Sequence, residues 1–100
     1  MKTDKILGMI GLAKKAGRLV SGEFMTEGAI KDGSAKLVII ASDVSENTRK
    51  KFMNSCSYYH VPIREYSDKE TLGHGIGKEF RASLAVTDKG LAQAILKKMN

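Results

Sequence analysis

The most constraining feature of this sequence is a short, uninterrupted apolar run, LVIIA, at residues 37–41. The run has the length of a strand and is rich in β-branched residues. A strand that is apolar at every position is typical of a strand covered on both faces. We therefore predict that this segment lies at the centre of a sheet, with helices on each side.

Helical segments precede and follow this strand. Near the N-terminus, Ile6, Ile10 and Ala13 recur at i, i+4 and i+7, after Thr3 or Asp4 as the capping residue. Further helices are predicted to begin near residues 22, 45, 67 and 88, and further strands at 19–21, 63–66 and 84–87. This order predicts an α/β fold: a three-layer α/β/α sandwich with a short, four-stranded, mostly parallel (mixed) sheet and helices on both faces. At 100 residues the chain fits a single domain, residues 1–100.

The charge balance indicates a polyanionic partner. Seventeen Lys and Arg residues against eleven Asp and Glu residues give a net charge of +6 and a pI near 9.6. RNA, DNA and an anionic membrane surface all fit this charge. No membrane-spanning segment is expected, because the longest apolar run is far too short and the N-terminus lacks the apolar core of a signal peptide. Since there is also only one cysteine, we expect a cytoplasmic protein.

Two glycine features need an explanation. The segment GHGIGK, residues 73–78, matches neither the Walker pattern nor the dinucleotide-binding pattern G-x-G-x-x-G, so close backbone packing at a helix end is the better interpretation. Gly28 lies in the middle of the second predicted helix and weakens it by about 1 kcal/mol relative to Ala. We expect close packing or a nearby backbone at Gly28 as well.

Residues that bind metals or perform catalysis form no recognisable motif. Cys56, His60 and His74 lack the spacing of metal ligands, so no metal or other cofactor is predicted. Cys56 follows Phe52 at i+4 and is expected in the core. No catalytic residue is predicted. Because a nucleophile and its base meet in space rather than in sequence, an RNA-modifying enzyme stays open as a remote alternative.

Four segments resemble the ribosomal-protein family of the L7Ae and L30e type, whose members often bind kink-turn RNA. In chain order they are SGEFMTEGAIKDG, AKLVIIASDVS, YYHVPI and LGHGIGKEFRASLAV. The resemblance runs from about residue 18 to residue 86 and is greatest for the small bacterial branch of the family. It implies a ribosomal or other RNA-binding protein with the α/β sandwich fold.

The resemblance also implies where RNA binds. In the family, the start of the second helix, the loop after the central strand and the loop entering the last strand form a platform, here residues 22–28, 42–44 and 78–83. A helix N-terminus presents free N–H groups to RNA oxygens, lysines and arginines bind phosphates, and phenylalanine rings stack on unpaired bases. The expected RNA-binding residues are Lys14, Lys15, Arg18, Gly22, Glu23, Phe24, Met25, Gly28, Asp43, Lys78, Glu79, Phe80, Arg81 and Ala82.

One departure from the family affects specificity. Kink-turn binders carry an Asn-Glu pair after the glycine that opens the second helix, and a Lys one turn later. This chain has Phe24, Met25 and Gly28 at those positions. Phe and Met side chains cannot hydrogen-bond to the edges of sheared G·A pairs, but they offer stacking or apolar contact. The structural alternative is that Phe24 folds over the helix start as a staple and Met25 packs inward beside Ala29.

A protein-interaction module is the main functional alternative. In that case Phe24, Met25 and Phe80 form an exposed apolar patch for a partner chain or for a homodimer. RNA stacking and protein binding both require these side chains to be exposed, so their exposure separates a binding surface from a buried staple.

Overall fold

The computed structural model describes residues 4–99, along which five α-helices alternate with four β-strands. They are α1 (Lys5–Lys15), β1 (Leu19–Ser21), α2 (Glu23–Lys31), β2 (Leu37–Ile40), α3 (Glu46–Tyr59), β3 (Ile63–Glu65), α4 (Lys69–Gly75), β4 (Ser83–Val86) and α5 (Lys89–Met99). The strands form one sheet in the order β1-β4-β2-β3. The predicted α/β sandwich with a mixed four-stranded sheet is confirmed.

The directions of the strands differ from the prediction. Within residues 4–99, β2 and β3 are parallel, whereas β4 is antiparallel to both β1 and β2. The expectation of a mostly parallel sheet is therefore wrong. The reason is that the chain between β3 and β4 stays at one edge of the sheet: the Ser42 amide donates to the Ser67 carbonyl (2.7 Å), and the Arg81 amide donates to the Lys69 carbonyl (3.0 Å). β4 therefore begins at the edge where β2 and β3 end, and it runs back antiparallel to β2.

Two apolar layers hold the helices on the sheet. On one face α1, α4 and α5 contribute Ile10, Leu72 and Ile95, and on the other face α2 and α3 contribute Ile30 and Phe52. All five side chains are fully buried, and each such burial stabilises the fold by about 1.5–3 kcal/mol. Every residue of β2 is also fully buried, because the strand lies inside the sheet and supplies side chains to both layers. This confirms the interpretation of the LVIIA run.

The helix starts depend on side-chain caps. Asp4 accepts a hydrogen bond from the Leu7 amide (3.0 Å), as predicted for this position, whereas Thr3 lies outside the described residues. The cap of α4 is Asp68, which accepts from the Thr71 amide (2.7 Å). The run Ser67-Asp68-Lys69-Glu70 also matches a capping box with Ser67 as the cap, but the observed cap lies one residue later. Ser67 instead adopts a left-handed φ of 60°, which turns the chain from β3 into α4.

Candidate nucleic-acid interface

Three chain segments meet at the edge of the sheet where β2 ends and β4 begins, and we call this surface the platform. Its segments are residues 22–28, 42–44 and 78–83. The Gly22 amide donates a hydrogen bond to the Ser83 carbonyl (2.9 Å), which joins the first segment to the third. The Ala41 amide donates to the Ala82 carbonyl (2.9 Å), which places the end of β2 beside the third segment. The segments that the resemblance singled out are therefore neighbours in space.

The start of α2 is built around Gly22. Its φ of 93° lies in the region that favours glycine, and no side chain caps this helix end. The first N–H groups of a helix have no partner within the helix itself. The α2 start therefore presents donors and the positive end of the helix dipole to the platform.

The third segment packs directly on α4. A Cβ atom at Gly73 would lie 2.7 Å from the Glu79 carbonyl oxygen and 2.8 Å from the Phe80 Cα atom. The Lys78 amide also donates to the Gly73 carbonyl (2.8 Å). Close backbone packing thus explains Gly73 in the GHGIGK segment, as expected from the sequence.

Arg81 has a structural role in addition to its place on the platform. Its Nε atom donates to the Ser21 hydroxyl oxygen (2.9 Å), and one terminal nitrogen donates to the Phe80 carbonyl (2.8 Å). The side chain therefore links the third segment to the end of β1. Two of its five N–H donors are already occupied, and the others are available for a ligand.

Asp43 connects the middle segment to α4. Its Oδ1 atom accepts a hydrogen bond from the Lys69 amide (2.9 Å), a contact that the sequence did not indicate because it joins residues far apart in the chain. An open cleft of about 480 Å³ lies here, lined by Asp43, Asp68, Lys69, Glu70 and Phe80. Phe80 thus lines a cleft together with one lysine and three acidic residues.

The apolar side chains at the platform point to solvent. Phe24 is 86% exposed, Phe80 is 55% exposed and Met25 is 52% exposed. Phe24 is therefore not a buried staple, and Met25 does not join its neighbour Ala29 in the core. These side chains are available for stacking or for contact with another molecule.

Gly28 is exposed, and a Cβ atom there would meet nothing within 4 Å. The expectation of close packing at Gly28 is wrong. Its missing side chain instead leaves a notch on the helix surface, an open space of about 320 Å³ lined by Phe24, Glu27, Gly28 and Lys31. Phe24 thus borders this notch.

Two carboxylates of α2 are paired with lysines. Lys51 on α3 contacts Glu23 (2.9 Å) and Glu27 (2.8 Å), and Lys31 contacts Glu27 (3.2 Å). The hydrogen bond from Lys51 lowers the pKa of Glu27, and the bond from Lys31 adds to this effect. Glu23 is thus held toward α3.

Lys14, Lys15 and Arg18 lie at the opposite edge of the sheet from the platform. The Thr87 amide donates to the Arg18 carbonyl (2.9 Å), so Arg18 lies beside the end of β4, whereas the platform meets β4 at its start, Ser83. At about 3.3 Å per residue, the two ends of this strand are about 10 Å apart. The structure does not bring these three expected phosphate ligands to the platform.

Two further cations lie at that opposite edge. The Lys36 amide donates to the Val86 carbonyl (2.7 Å), and Lys89 begins α5 three residues after Val86. Sequence reasoning missed both, because their proximity to Arg18 depends on the order of the strands. We call the set Lys14, Lys15, Arg18, Lys36 and Lys89 the basic edge.

The single cysteine lies in the packed core, and the described residues offer neither a metal site nor a membrane-spanning helix. Cys56 is buried as predicted, and burial raises the pKa of its thiol to about 11. In the described part of the chain, no group of three or more His, Cys, Asp or Glu residues is arranged to hold a metal ion. None of the helices within residues 4–99 has the length and apolar character that a bilayer crossing requires.

Comparison with known proteins identifies the family. The sequence profile of the ribosomal protein L7Ae/L30e/S12e/Gadd45 family matches residues 4–96. The chain belongs to this family. The RNA-binding protein YlxQ of Bacillus subtilis is 42% identical over 88 residues, which is 88% of each chain. The large ribosomal subunit protein eL30 of Trypanosoma brucei brucei is 32% identical over 91 residues, 89% of this chain and 87% of that protein.

Solved structures have the same L7Ae-type fold. A protein of unknown function from Bacillus halodurans superposes with a TM-score of 0.91 at 33% identity, covering 95% of this chain and 96% of that chain. The 15.5kD RNA binding protein of Giardia lamblia superposes with a TM-score of 0.80 at 17% identity, covering 98% of this chain and 90% of that chain. At that identity the likeness concerns the fold.

Proposed function

We propose that this protein is a non-enzymatic, cytoplasmic RNA-binding protein that binds structured RNA, ribosomal or ribosome-associated, through the platform. The observation that carries the proposal is the meeting of three segments at one edge of the sheet, with the rings of Phe24 and Phe80 exposed. Unpaired RNA bases stack on such rings, and RNA oxygens accept hydrogen bonds from helix N-termini. Family membership supports the same function, because the relatives named above include RNA-binding and ribosomal proteins.

Each part of the platform has a role in this proposal. The α2 start at Gly22 donates to RNA oxygens, Phe24 stacks on an unpaired base over the notch at Gly28, and Met25 adds apolar contact. Lys78 binds phosphate from the third segment, together with the free donors of Arg81. Recognition of the edges of G·A pairs is not part of the proposal, because the side chains that could read them are replaced.

Fluorescence anisotropy tests the role of Phe24. The probes are a stem with an unpaired loop and a fully paired duplex of the same length, and the matched variants are Phe24→Ala and Tyr58→Ala. Tyr58 is 76% exposed on α3, so each variant removes one exposed aromatic ring. We expect the loop RNA to bind more tightly than the duplex, and Phe24→Ala to weaken that binding roughly tenfold, since a stacked base contributes about 1–3 kcal/mol. Equal affinities for wild type and Phe24→Ala would contradict this role.

The exposed apolar side chains also favour a second candidate, a protein-interaction module. Phe24, Met25 and Phe80 lie on the platform segments, and a contiguous apolar patch often marks a protein contact. Sedimentation and RNA titration of Phe24→Ser separate the two functions. Loss of an oligomer with RNA affinity intact favours protein interaction, whereas loss of RNA affinity by a chain that sediments as wild type favours RNA binding.

A further inference from the structure

We propose that the basic edge is a second RNA-binding surface, which binds phosphates of the same RNA whose unpaired bases contact the platform. This inference rests on the proposed function and deepens it. It assigns most of the phosphate binding to the edge of the sheet opposite the platform.

The net charge of the platform is the first observation. Its three segments carry two basic residues and four acidic residues: Lys78, Arg81, Glu23, Glu27, Asp43 and Glu79. The net charge of these segments is −2, although the whole chain carries +6. Lys51 offsets part of this negative charge through its contacts with Glu23 and Glu27. The attraction to a polyanion must therefore come mainly from cations outside the platform.

The basic edge, in contrast, carries an excess of positive charge. All five of its cations are exposed, and within residues 4–99 none of them forms a salt bridge. Two carboxylates in the adjoining turns accept backbone hydrogen bonds, Asp32 from the Ser34 amide (2.8 Å) and Asp88 from the Leu91 amide (2.8 Å). Five cations against these two carboxylates leave a net charge of +3. The Lys36 ammonium also donates to the Gly33 carbonyl (3.1 Å), a single hydrogen bond that leaves its charge unpaired, so all five cations can still bind phosphate oxygens.

The cations are clustered by the backbone around the end of β4. The Arg18 carbonyl and the Lys36 amide bond to successive residues of the chain, Thr87 and Val86, from opposite sides of β4. Adjacent strands are about 4.8 Å apart, so the backbones of Arg18 and Lys36 lie roughly 10 Å from each other. Lys14 and Lys15 end α1 shortly before Arg18. A group of cations at this spacing fits a run of phosphates rather than a single small anion.

A cleft beside two of these cations favours a surface that binds nucleotides over one that attracts polyanions by charge alone. Lys36 and Lys89 line an open cleft of about 460 Å³ whose wall includes Tyr59 and apolar side chains such as Val61 and Leu96. Tyr59 is 41% exposed. An aromatic ring beside two cations suits an unpaired nucleotide, with the base on the ring and the phosphate on the lysines.

The positions of the two surfaces imply a dependence on RNA length. The platform and the basic edge lie at opposite ends of β4, and the molecule measures 38 × 28 × 24 Å. An RNA that fills only the platform does not reach the basic edge. A longer RNA follows the surface from one edge to the other and contacts both.

The test compares two charge reversals in the full-length chain. Lys14→Glu with Lys15→Glu alters the basic edge, and Lys97→Glu with Lys98→Glu is the matched control. Both pairs are exposed and lie in the last turn of a helix, so net charge and helix-dipole effects change equally. The probes are deproteinised large-subunit ribosomal RNA and the short loop RNA, titrated over a range of salt concentrations, with thermal melting to verify folding.

For ribosomal RNA we expect the first pair to weaken binding at least tenfold more than the control pair. Its plot of log affinity against log salt should also be shallower by roughly 1.5, because two phosphate contacts are lost. For the short loop RNA the first pair should weaken binding no more than the control pair, whose Lys98 lies near Glu65 and Tyr66 at the platform end of the sheet. Equal effects of both pairs on ribosomal RNA would overturn the proposal, since net charge alone would then explain binding.

Two further measurements complete the test. One examines the proposed function of the platform by itself, and the other asks whether the basic edge binds an anionic membrane instead of RNA. Phe24→Ala in the same titration reports on the platform alone, so its failure to weaken binding contradicts the proposed function while leaving the charge-reversal result interpretable. Vesicles of phosphatidylglycerol and phosphatidylcholine report on membrane binding. If the Lys14 and Lys15 reversals abolish vesicle binding and leave RNA affinity unchanged, the basic edge binds lipid and the inference is wrong.

Discussion

The backbone of Phe80 lies against Gly73 so closely that a methyl group on Gly73 would be 2.8 Å from the Phe80 Cα atom. The obstacle is backbone rather than the flexible end of a side chain, so a larger residue requires residues 78–83 to move. Gly73 therefore sets the position of the third platform segment, although it is itself buried.

Gly73→Ala should lower the free energy of unfolding by about 1–3 kcal/mol because of this overpacking. The same shift should weaken RNA binding. The matched control is Gly8→Ala in α1, where the new methyl group meets nothing within 4 Å and should stabilise the helix by about 0.5–1 kcal/mol. Urea denaturation measures both changes. Equal stabilities for the two variants would show that residues 78–83 move freely.

Replacing Phe24, Met25 and Gly28 of α2 by the family's hydrogen-bonding residues should confer kink-turn recognition. The variant Phe24→Asn, Met25→Glu, Gly28→Lys gains the hydrogen-bonding groups that this chain lacks, on a helix start whose backbone is already in place. We expect its affinity for a kink-turn RNA to rise roughly tenfold, which corresponds to about 1.4 kcal/mol. The control RNA has Watson–Crick pairs in place of the sheared G·A pairs. An equal gain for both RNAs would mean that the added lysine acts only by its charge.

The sequence predicted the local features of this protein better than their arrangement. The LVIIA run, the Asp4 cap and the core position of Cys56 follow from periodicity and side-chain chemistry, which act over a few residues. The antiparallel placement of β4 depends on the short return through α4, and no spacing in the sequence encodes that return.

For the candidate site, too, the sequence predicted local features but not their arrangement in space. The platform segments were predicted by resemblance and are neighbours in the structure, but the separation of Lys14, Lys15 and Arg18 from them depends on which end of β4 each segment meets. The contact between Asp43 and Lys69 joins distant parts of the chain in the same way. The absence of close packing at Gly28 could not be predicted, because helix propensity does not report what lies beside a helix.

A buried hydroxyl under the platform should be dispensable for stability. The hydroxyl groups of Thr26 and Ser83 are buried and have no hydrogen-bond partner among the described residues. Thr26→Val keeps the shape and a similar helix propensity while removing an unpaired polar group, so the free energy of unfolding should rise by about 1 kcal/mol. Thermal and urea unfolding measure the change. A loss of stability would instead indicate that the Thr26 hydroxyl is hydrogen-bonded in solution.

Acid should weaken the fold in part through Asp68. The hydrogen bond from the Thr71 amide holds the pKa of Asp68 below the ordinary value of 3.8. The unfolded chain therefore takes up this proton first as the pH falls, so the stabilisation is complete above 3.8 and is lost as the pH falls through the lower pKa of the folded state. Asp68→Asn retains an acceptor for the Thr71 amide but does not titrate.

Urea denaturation at several values between about pH 5 and about pH 2 measures this difference. The stability of wild type should fall more steeply than that of Asp68→Asn. Parallel curves would show that other carboxylates account for all of the acid sensitivity.

The most direct test of RNA binding at the platform is to locate the RNA on the protein. The full chain is crosslinked with ultraviolet light to the loop RNA, and mass spectrometry identifies the crosslinked residues. Bases stacked on Phe24 and Phe80 should give crosslinks in residues 22–28 and 78–83. Crosslinks confined to α3, at Tyr58 and Tyr59, with none in the platform segments, would contradict the proposed function.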